Sequence, residues 1–129
     1  MGVVFRCSGD VVAADFLAAN NGFLATPEEI KKWRYGLVDL SGVRSMDIGY
    51  LDVSRIVAQN STIASIAVPG VLIAVAAPGD HGFGLARMWE ALVERVGWET
   101  MTFRSLAEAE DWIQRRVKEK FEIDLATPA

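Results

Sequence analysis

Two carboxylates, Asp39 and Asp47, flank the stretch on which acid–base chemistry in this chain would rest: Tyr35-Gly36-Leu37-Val38-Asp39-Leu40-Ser41-Gly42-Val43-Arg44-Ser45-Met46-Asp47-Ile48-Gly49-Tyr50. Acid–base catalysis needs two groups whose pKa values are pushed apart in a closed pocket, and a third group that orients the reacting water. The sequence supplies no such third group. Asp39 therefore reads as an acceptor for backbone amides at a strand end, and Asp47 as the cap of the helix that follows. Ser41 and Ser45 lie on the same stretch, where a serine bonds to its own backbone more readily than it serves as a phosphoacceptor.

Other residue types fare no better as catalysts. Gly79-Asp80-His81-Gly82-Phe83-Gly84 follows a strand and opens a helix, as a nucleotide-binding turn does. Its spacing is not G-x-G-x-x-G, however, and Asp80 puts negative charge where a phosphate would lie. The only histidine, His81, has no Cys, Ser or second His at the spacing of a metal cluster or a triad, so it reads as a solvent-facing first-turn residue. The single cysteine, Cys7, excludes an internal disulfide, supplies too few thiolates for zinc and reads as a small buried apolar residue. Arg115, Arg116, Lys118 and Lys120 complement the carbonyl end of a helix. No catalytic residue, metal site or cofactor is expected, and hence no enzyme.

The bulk properties agree. The 129 residues, 51% hydrophobic and 23% charged, are enough for one core and too few for two, which gives one domain over 1–123 and a mobile tail over 124–129. A formal net charge of −4 has the wrong sign for gripping phosphate backbones, so nucleic acid is not an expected partner. The longest apolar run, Ile66 to Pro78, is broken by Pro69-Gly70 and falls short of the roughly 20 residues of a membrane helix. With no apolar leader, and with Arg6 where an acylation motif needs Ser or Thr, the expected setting is a reducing cytoplasm.

Hydrophobic periodicity orders the rest. Val3-Val4-Phe5-Arg6-Cys7 reads as a strand that Ser8-Gly9-Asp10 turns back through Val11-Val12, a short hairpin at the N-terminus. From Ala13 the spacing is helical, with Phe16, Asn20, Phe23 and Leu24 on one face. Thr26-Pro27-Glu28-Glu29 starts a second, short helix through about Trp33. Gly36 to Leu40 is a buried strand that delivers a loop, Ser41 to Asp47, to the sheet edge. A helix follows from Gly49 to Ala67, with Val53, Ile56, Asn60, Ile63 and Ala64 on its inner face. Val71 to Ala76, apolar at every position, is a central strand adjacent to the first. Asp80 caps a helix to Val96, Trp98 to Phe103 is the last strand, and Ser105 with Glu108 forms a capping box for a helix with the stripe Leu106, Ala109, Trp112, Ile113, Val117 and Phe121. The fold class is α/β: a single open, mostly parallel sheet with right-handed helical crossovers, antiparallel only in the hairpin.

In order and spacing, Gly9 after the first strand, Asp39-Leu40-Ser41-Gly42, the strand into Ala77-Pro78, Phe83-Gly84-Leu85-Ala86-Arg87-Met88-Trp89, and Phe103 followed by Ala109-Glu110-Asp111-Trp112 resemble the anti-sigma-factor antagonist (STAS, SpoIIAA-like) domains. The resemblance covers roughly Val3 to Val117 and points to a bacterial branch of that fold. It implies a regulatory module that works by binding proteins. Regulatory members present a phosphorylatable serine in an Asp-Ser-Ser-Gly motif before the helix that follows the central strand. The matching residues here are Asp47-Ile48-Gly49, and Ile48 has no oxygen to phosphorylate, so switching at that position is not expected.

Two uses of the fold follow. In the first, Ser41, Gly42, Asp47, Ile48, Gly49 and Tyr50 form an interaction loop for a protein partner or a second copy. Trp33 and Trp98, at element boundaries, are partly exposed and form the interface of a homodimer. In the second, Phe16, Phe23 and Leu24 hold a small apolar or lipid-like ligand against the sheet, as a resemblance to lipid-carrying CRAL-TRIO folds implies, although the chain is short for a full lipid cage.

Overall fold

A computed structural model describes residues 2–123, so the expected tail, Asp124 to Ala129, lies outside the described residues. Strand β1 (Gly2–Val12) leads through helices α1 (Ala13–Phe23) and α2 (Pro27–Lys32) to β2 (Tyr35–Asp47). Helix α3 (Tyr50–Ala64) connects to β3 (Leu72–Ala76), and α4 (Asp80–Val93), prolonged by a 3-10 turn (Glu94–Val96), connects to β4 (Glu99–Phe103). Helix α5 (Leu106–Phe121) closes the described chain. The strands stand in the order β1-β2-β3-β4, and all three pairings are parallel.

This topology dictates the layers. Each connection moves one strand in the same direction, so crossovers of one hand leave their helices on one face of the sheet. On that face Val3, Leu40, Ile73 and Val75 of the strands meet Leu24, Ile30, Ile63, Ala86 and Val93. Helix α5 crosses the opposite face over β2, β3 and β4, where Leu37, Leu72, Ala74 and Ala76 meet Ala109, Trp112, Ile113 and Val117. All five residues of β3 are buried because their side chains alternate between two cores, and β2 and β3 are adjacent interior strands as expected. At the α5-side edge, Val4 on β1 keeps 43% of its surface exposed.

The N-terminal hairpin does not form. Ser8-Gly9-Asp10 continues β1, which stays parallel to β2 through Val12, and the pairing shifts register between Arg6 and Ser8 and again between Gly9 and Asp10. Gly9, at φ +72° and free of a Cβ, stands at the second shift, where the extra residue, Arg44, belongs to β2, and the chain passes it without reversing. The loop expected from Ser41 to Asp47 is likewise strand, pairing with Ser8 to Val12 beyond the reach of β3. A polar ribbon with solvent on its outer side carries the same residue types as a loop. Its pairing is reinforced by Asp10, which accepts from Arg44 Nε and Nη2 at 3.1 and 2.6 Å and from Ser45 Oγ at 2.6 Å.

The helix ends also depart from expectation at several points. Asp47 ends β2 and does not cap α3; Gly49 holds the cap position and its N–H donates to Asp52 Oδ2 at 3.0 Å. Helix α3 stops at Ala64, three residues short of Ala67. Gly79 precedes α4, and Asp80, its first residue, pairs with Arg104 at 2.6 Å. Thr26 and Ser105 cap α2 and α5, accepting from Glu29 and Glu108 N–H at 3.2 Å each.

Candidate functional site

Between the sheet and α1, α3 and α4 lies a partly open cavity of about 110 Å³. Its floor is Phe5 of β1, Gly36, Val38 and Leu40 of β2, and Ile73 and Val75 of β3. Phe16, Ala19 and Asn20 come from α1, Val53, Ile56, Asn60 and Ile63 from α3, and Gly82, Leu85, Ala86 and Trp89 from α4. Small residues explain the space: Ala19, Gly36, Gly82 and Ala86 stand where larger side chains would meet across the layer. The wall is apolar almost throughout, so water entering it would find few partners.

Polar side chains clasp the helices above. Gln59 on α3 accepts from Asn20 Nδ2 at 2.8 Å and donates through Nε2 to Leu17 O at 3.0 Å and Asn21 Oδ1 at 3.2 Å, tying α3 to α1. Trp89 Nε1 donates to Asn60 Oδ1 at 2.8 Å and ties α4 to α3. Trp33 Nε1 donates to Tyr35 O at 2.7 Å. Trp98 packs edge-on against Trp33, centroids 5.2 Å apart and planes at 87°, yet its buried indole N–H has no hydrogen-bond partner.

The expected site residues divide. Phe16 and Leu24 line the cavity, while Phe23 ends α1 and its side chain lies outside the described residues. Trp33 and Trp98 are 2% and 5% exposed and both line the cavity, which overturns their expected place on the surface. Each stands at an element boundary where the chain passes beneath the helix layer, and the indole turns inward there. The interaction segment also splits. Ser41, Gly42, Asp47 and Gly49 are exposed, but Ile48 is buried and lines the cavity. Tyr50 is 59% exposed and its neighbour Leu51 73%. Gly42 sits close to β1, and a Cβ there would lie 3.1 Å from Cys7 O and 3.3 Å from Ser8 Cβ, a tight fit.

No acid–base pair assembles. Asp39 is buried, accepts from Ser41 N–H at 2.9 Å and lies 3.7 Å from Arg6. Asp47 is exposed and, at a rise of about 3.3 Å per residue, lies roughly 25 Å further along the same strand. Burial, and after it the carboxylates of Asp39 and Asp15, push the Cys7 thiol above its ordinary range, which keeps it from the thiolate form. His81 is exposed and its Nε2 lies 3.0 Å from Met46 O. Asp80 is engaged by Arg104 at 2.6 Å, and the Arg104 guanidinium also stacks 4.0 Å over Phe83. Among the described residues no group of three His, Cys, Asp or Glu could hold a metal ion, and no helix is long and apolar enough to cross a membrane.

Asn20 and Asn60 are the functional candidates that hydrophobic patterning passes over. Each occupies the inward stripe of an amphipathic helix, and a polar amide at a core position is the one visible sign of a wall with hydrogen-bonding work to do. Comparison with family models, with curated proteins and with solved structures finds no match to the chain.

Proposed function

We propose that this chain is a non-enzymatic binding module that takes up a small apolar molecule between its sheet and helices α1, α3 and α4. The cavity of about 110 Å³, walled by Phe16, Leu24, Val38, Ile73 and Val75, carries this reading. An apolar cavity of about 150 Å³ stays dry and binds benzene, which sets the scale of a ligand, or of the ligand's buried end, at about six heavy atoms. Native mass spectrometry of the purified protein tests it, since it weighs the oligomer and any co-purified molecule together. Titration with methylenecyclopentane followed by NMR of the cavity methyl groups should give saturable shifts in the wild type. Ala86→Leu or Ala19→Leu, which fill the space from α4 and α1, should abolish them. A wild type whose cavity resonances ignore the probe ends the proposal.

A second reading is supported by the exposed apolar side chains at one end of the sheet: Val12 at 44%, Tyr50 at 59% and Leu51 at 73%. Val12 pairs with Asp47, three residues before Tyr50, so the patch belongs to the segment expected to meet a protein partner or a second copy. The resemblance to anti-sigma-factor antagonist domains and a cytoplasmic setting belong to this reading. Buried Ile48 at the family's serine position supports a member without the phosphorylation switch. Sedimentation of Leu51→Asp beside the wild type tests the homodimer: a change to monomer is expected, and a monomeric wild type sinks it.

A further inference from the structure

The two edges of the sheet are unequal. Strand β4 offers five residues, whereas β1 runs for eleven, with β2 on one side and, among the described residues, no strand on the other. An edge strand presents backbone N–H and C=O groups that a further strand can take, so a long one is a ready template for pairing. Both register shifts between β1 and β2 are absorbed by extra residues of β2. Strand β1 therefore keeps its alternation: Val4, Arg6, Ser8, Asp10 and Val12 are exposed, and the residues between them are wholly or partly covered.

Those five residues decide which strand would fit. Valines 43% and 44% exposed stand at the ends, a cation and an anion stand inside them, and Ser8 is the midpoint. A two-fold axis perpendicular to the sheet sets an edge strand against a reversed copy of itself. Centred on Ser8, it places Val4 against Val12 of the second copy and Arg6 against Asp10 of the second copy, and both contacts recur on the other side of the axis. Moving the centre to Cys7 places Asp10 against Val4, and moving it to Gly9 places Arg6 against Val12, so the neighbouring registers lose the match. Charges on an edge strand ordinarily discourage pairing; here their signs and spacing favour one register. Within the chain Arg6 lies 3.7 Å from Asp39, and Asp10 pairs with Arg44 at 2.6 Å. Pairing about Ser8 joins these into a row, Asp39 and Arg6 of one copy with Asp10 and Arg44 of the other, in which the charges alternate in sign.

Resting on the homodimer reading and deepening it, we propose that a second copy of this chain docks along the outer edge of β1, antiparallel about Ser8, so that two four-stranded sheets become one continuous sheet. The ladder from Val4 to Val12 is about 26 Å long at the usual rise per strand residue. At Val12 it reaches the patch that includes exposed Tyr50 and Leu51.

The test is sedimentation of the wild type, Arg6→Asp, Asp10→Arg and an equal mixture of the two variants. The wild type should be a dimer. Each variant alone puts like charges opposite each other at both contacts and should weaken the dimer about tenfold or more. The mixture restores opposite signs at both contacts and should regain the dimer as a heterodimer. A cysteine cross-link reads the register directly: in a Cys7→Ser background, Ser8→Cys should oxidise to a covalent dimer, while Val4→Cys, about 26 Å from its own copy across the axis, should not. A dimeric wild type indifferent to both charge reversals, or one that Ser8→Cys does not cross-link, overturns the edge pairing and leaves the homodimer standing. A monomeric wild type overturns the homodimer reading itself. Should a charge variant not fold, the cross-link decides alone.

Discussion

Trp89 and Asn60 hold each other across the gap between α4 and α3, indole N–H to amide oxygen at 2.8 Å, directly on the cavity wall. With the Gln59 contacts to Asn20, Asn21 and Leu17, this bond means that polar clasps, and not tight apolar packing alone, fix the helices above the sheet. The arrangement reconciles two demands. A core with space in it forfeits dispersion contacts, and directional bonds at its rim keep the walls in register without filling it.

Asn60→Leu should therefore destabilise the protein by about 1–3 kcal/mol, since it leaves the Trp89 N–H without its acceptor. Urea denaturation of Asn60→Leu, Trp89→Phe and the double variant is the check. The double variant should lose less than the sum of the two, because removing both partners leaves no orphan. Strict additivity would mean that the bond contributes nothing.

Gly9→Ala should cost about 1–2 kcal/mol through backbone conformation alone, the ordinary penalty for a side chain in the left-handed region. The residue has φ +72° and a Cβ there would meet nothing within 4 Å, so steric crowding cannot be the cause. Gly9→Asn should cost less, as asparagine tolerates that region better. Equal losses for the two would argue that the backbone at position 9 relaxes out of the left-handed region.

Acid should weaken the contact between β4 and α5. Arg116 donates to both Glu99 oxygens, at 2.6 and 2.7 Å, and these bonds hold the Glu99 carboxyl below its ordinary range. A carboxyl whose pKa is lower folded than unfolded stabilises the fold at pH above its unfolded pKa, and that contribution disappears as pH falls through the folded value. Both side chains are partly exposed, at 38% for Glu99 and 28% for Arg116, so solvent screening keeps the effect modest. The stability difference between wild type and Glu99→Gln should be full near neutrality and shrink on acidification below the carboxylate range. A difference independent of pH would point to packing and not to charge.

How far these features were legible follows from what each strand buries. Val71 to Ala76 is covered on both sides, and an unbroken apolar run has few other meanings. The stripes of α3, α4 and α5 were readable for a similar reason, one face of each being committed to a core. Ser8, Asp10, Ser41, Arg44 and Ser45 are exposed strand residues of the β1–β2 ribbon, Ser41 and Arg44 falling at its register shifts, and their polar types are those of turns, so extension and reversal looked alike. The cavity has no motif, because it arises from small residues on separate elements that meet only after folding: Gly36 on β2, Gly82 and Ala86 on α4, Ala19 on α1. The two tryptophans show the same limit. Position at an element end does not tell which way the next residues bend, and here both indoles go inward.

That burial changes what substitution of Trp33 and Trp98 should do. Trp33→Ala removes a core indole 2% exposed and should cost about 3–5 kcal/mol, a large part of the 5–15 kcal/mol typical of a whole domain. Conservative changes should then separate the pair. Trp33→Phe leaves the Tyr35 carbonyl without the N–H that meets it at 2.7 Å and should destabilise by about 1 kcal/mol or more. Trp98→Phe removes a donor that has no partner, so the loss of ring area should be offset in large part and its urea midpoint should fall less than that of Trp33→Phe. Sedimentation of the folded variants should show the oligomeric mass of the wild type in both cases, since neither indole reaches the surface. A mass change in Trp98→Phe at unaltered stability would instead place that indole in an interface, against its burial within one chain.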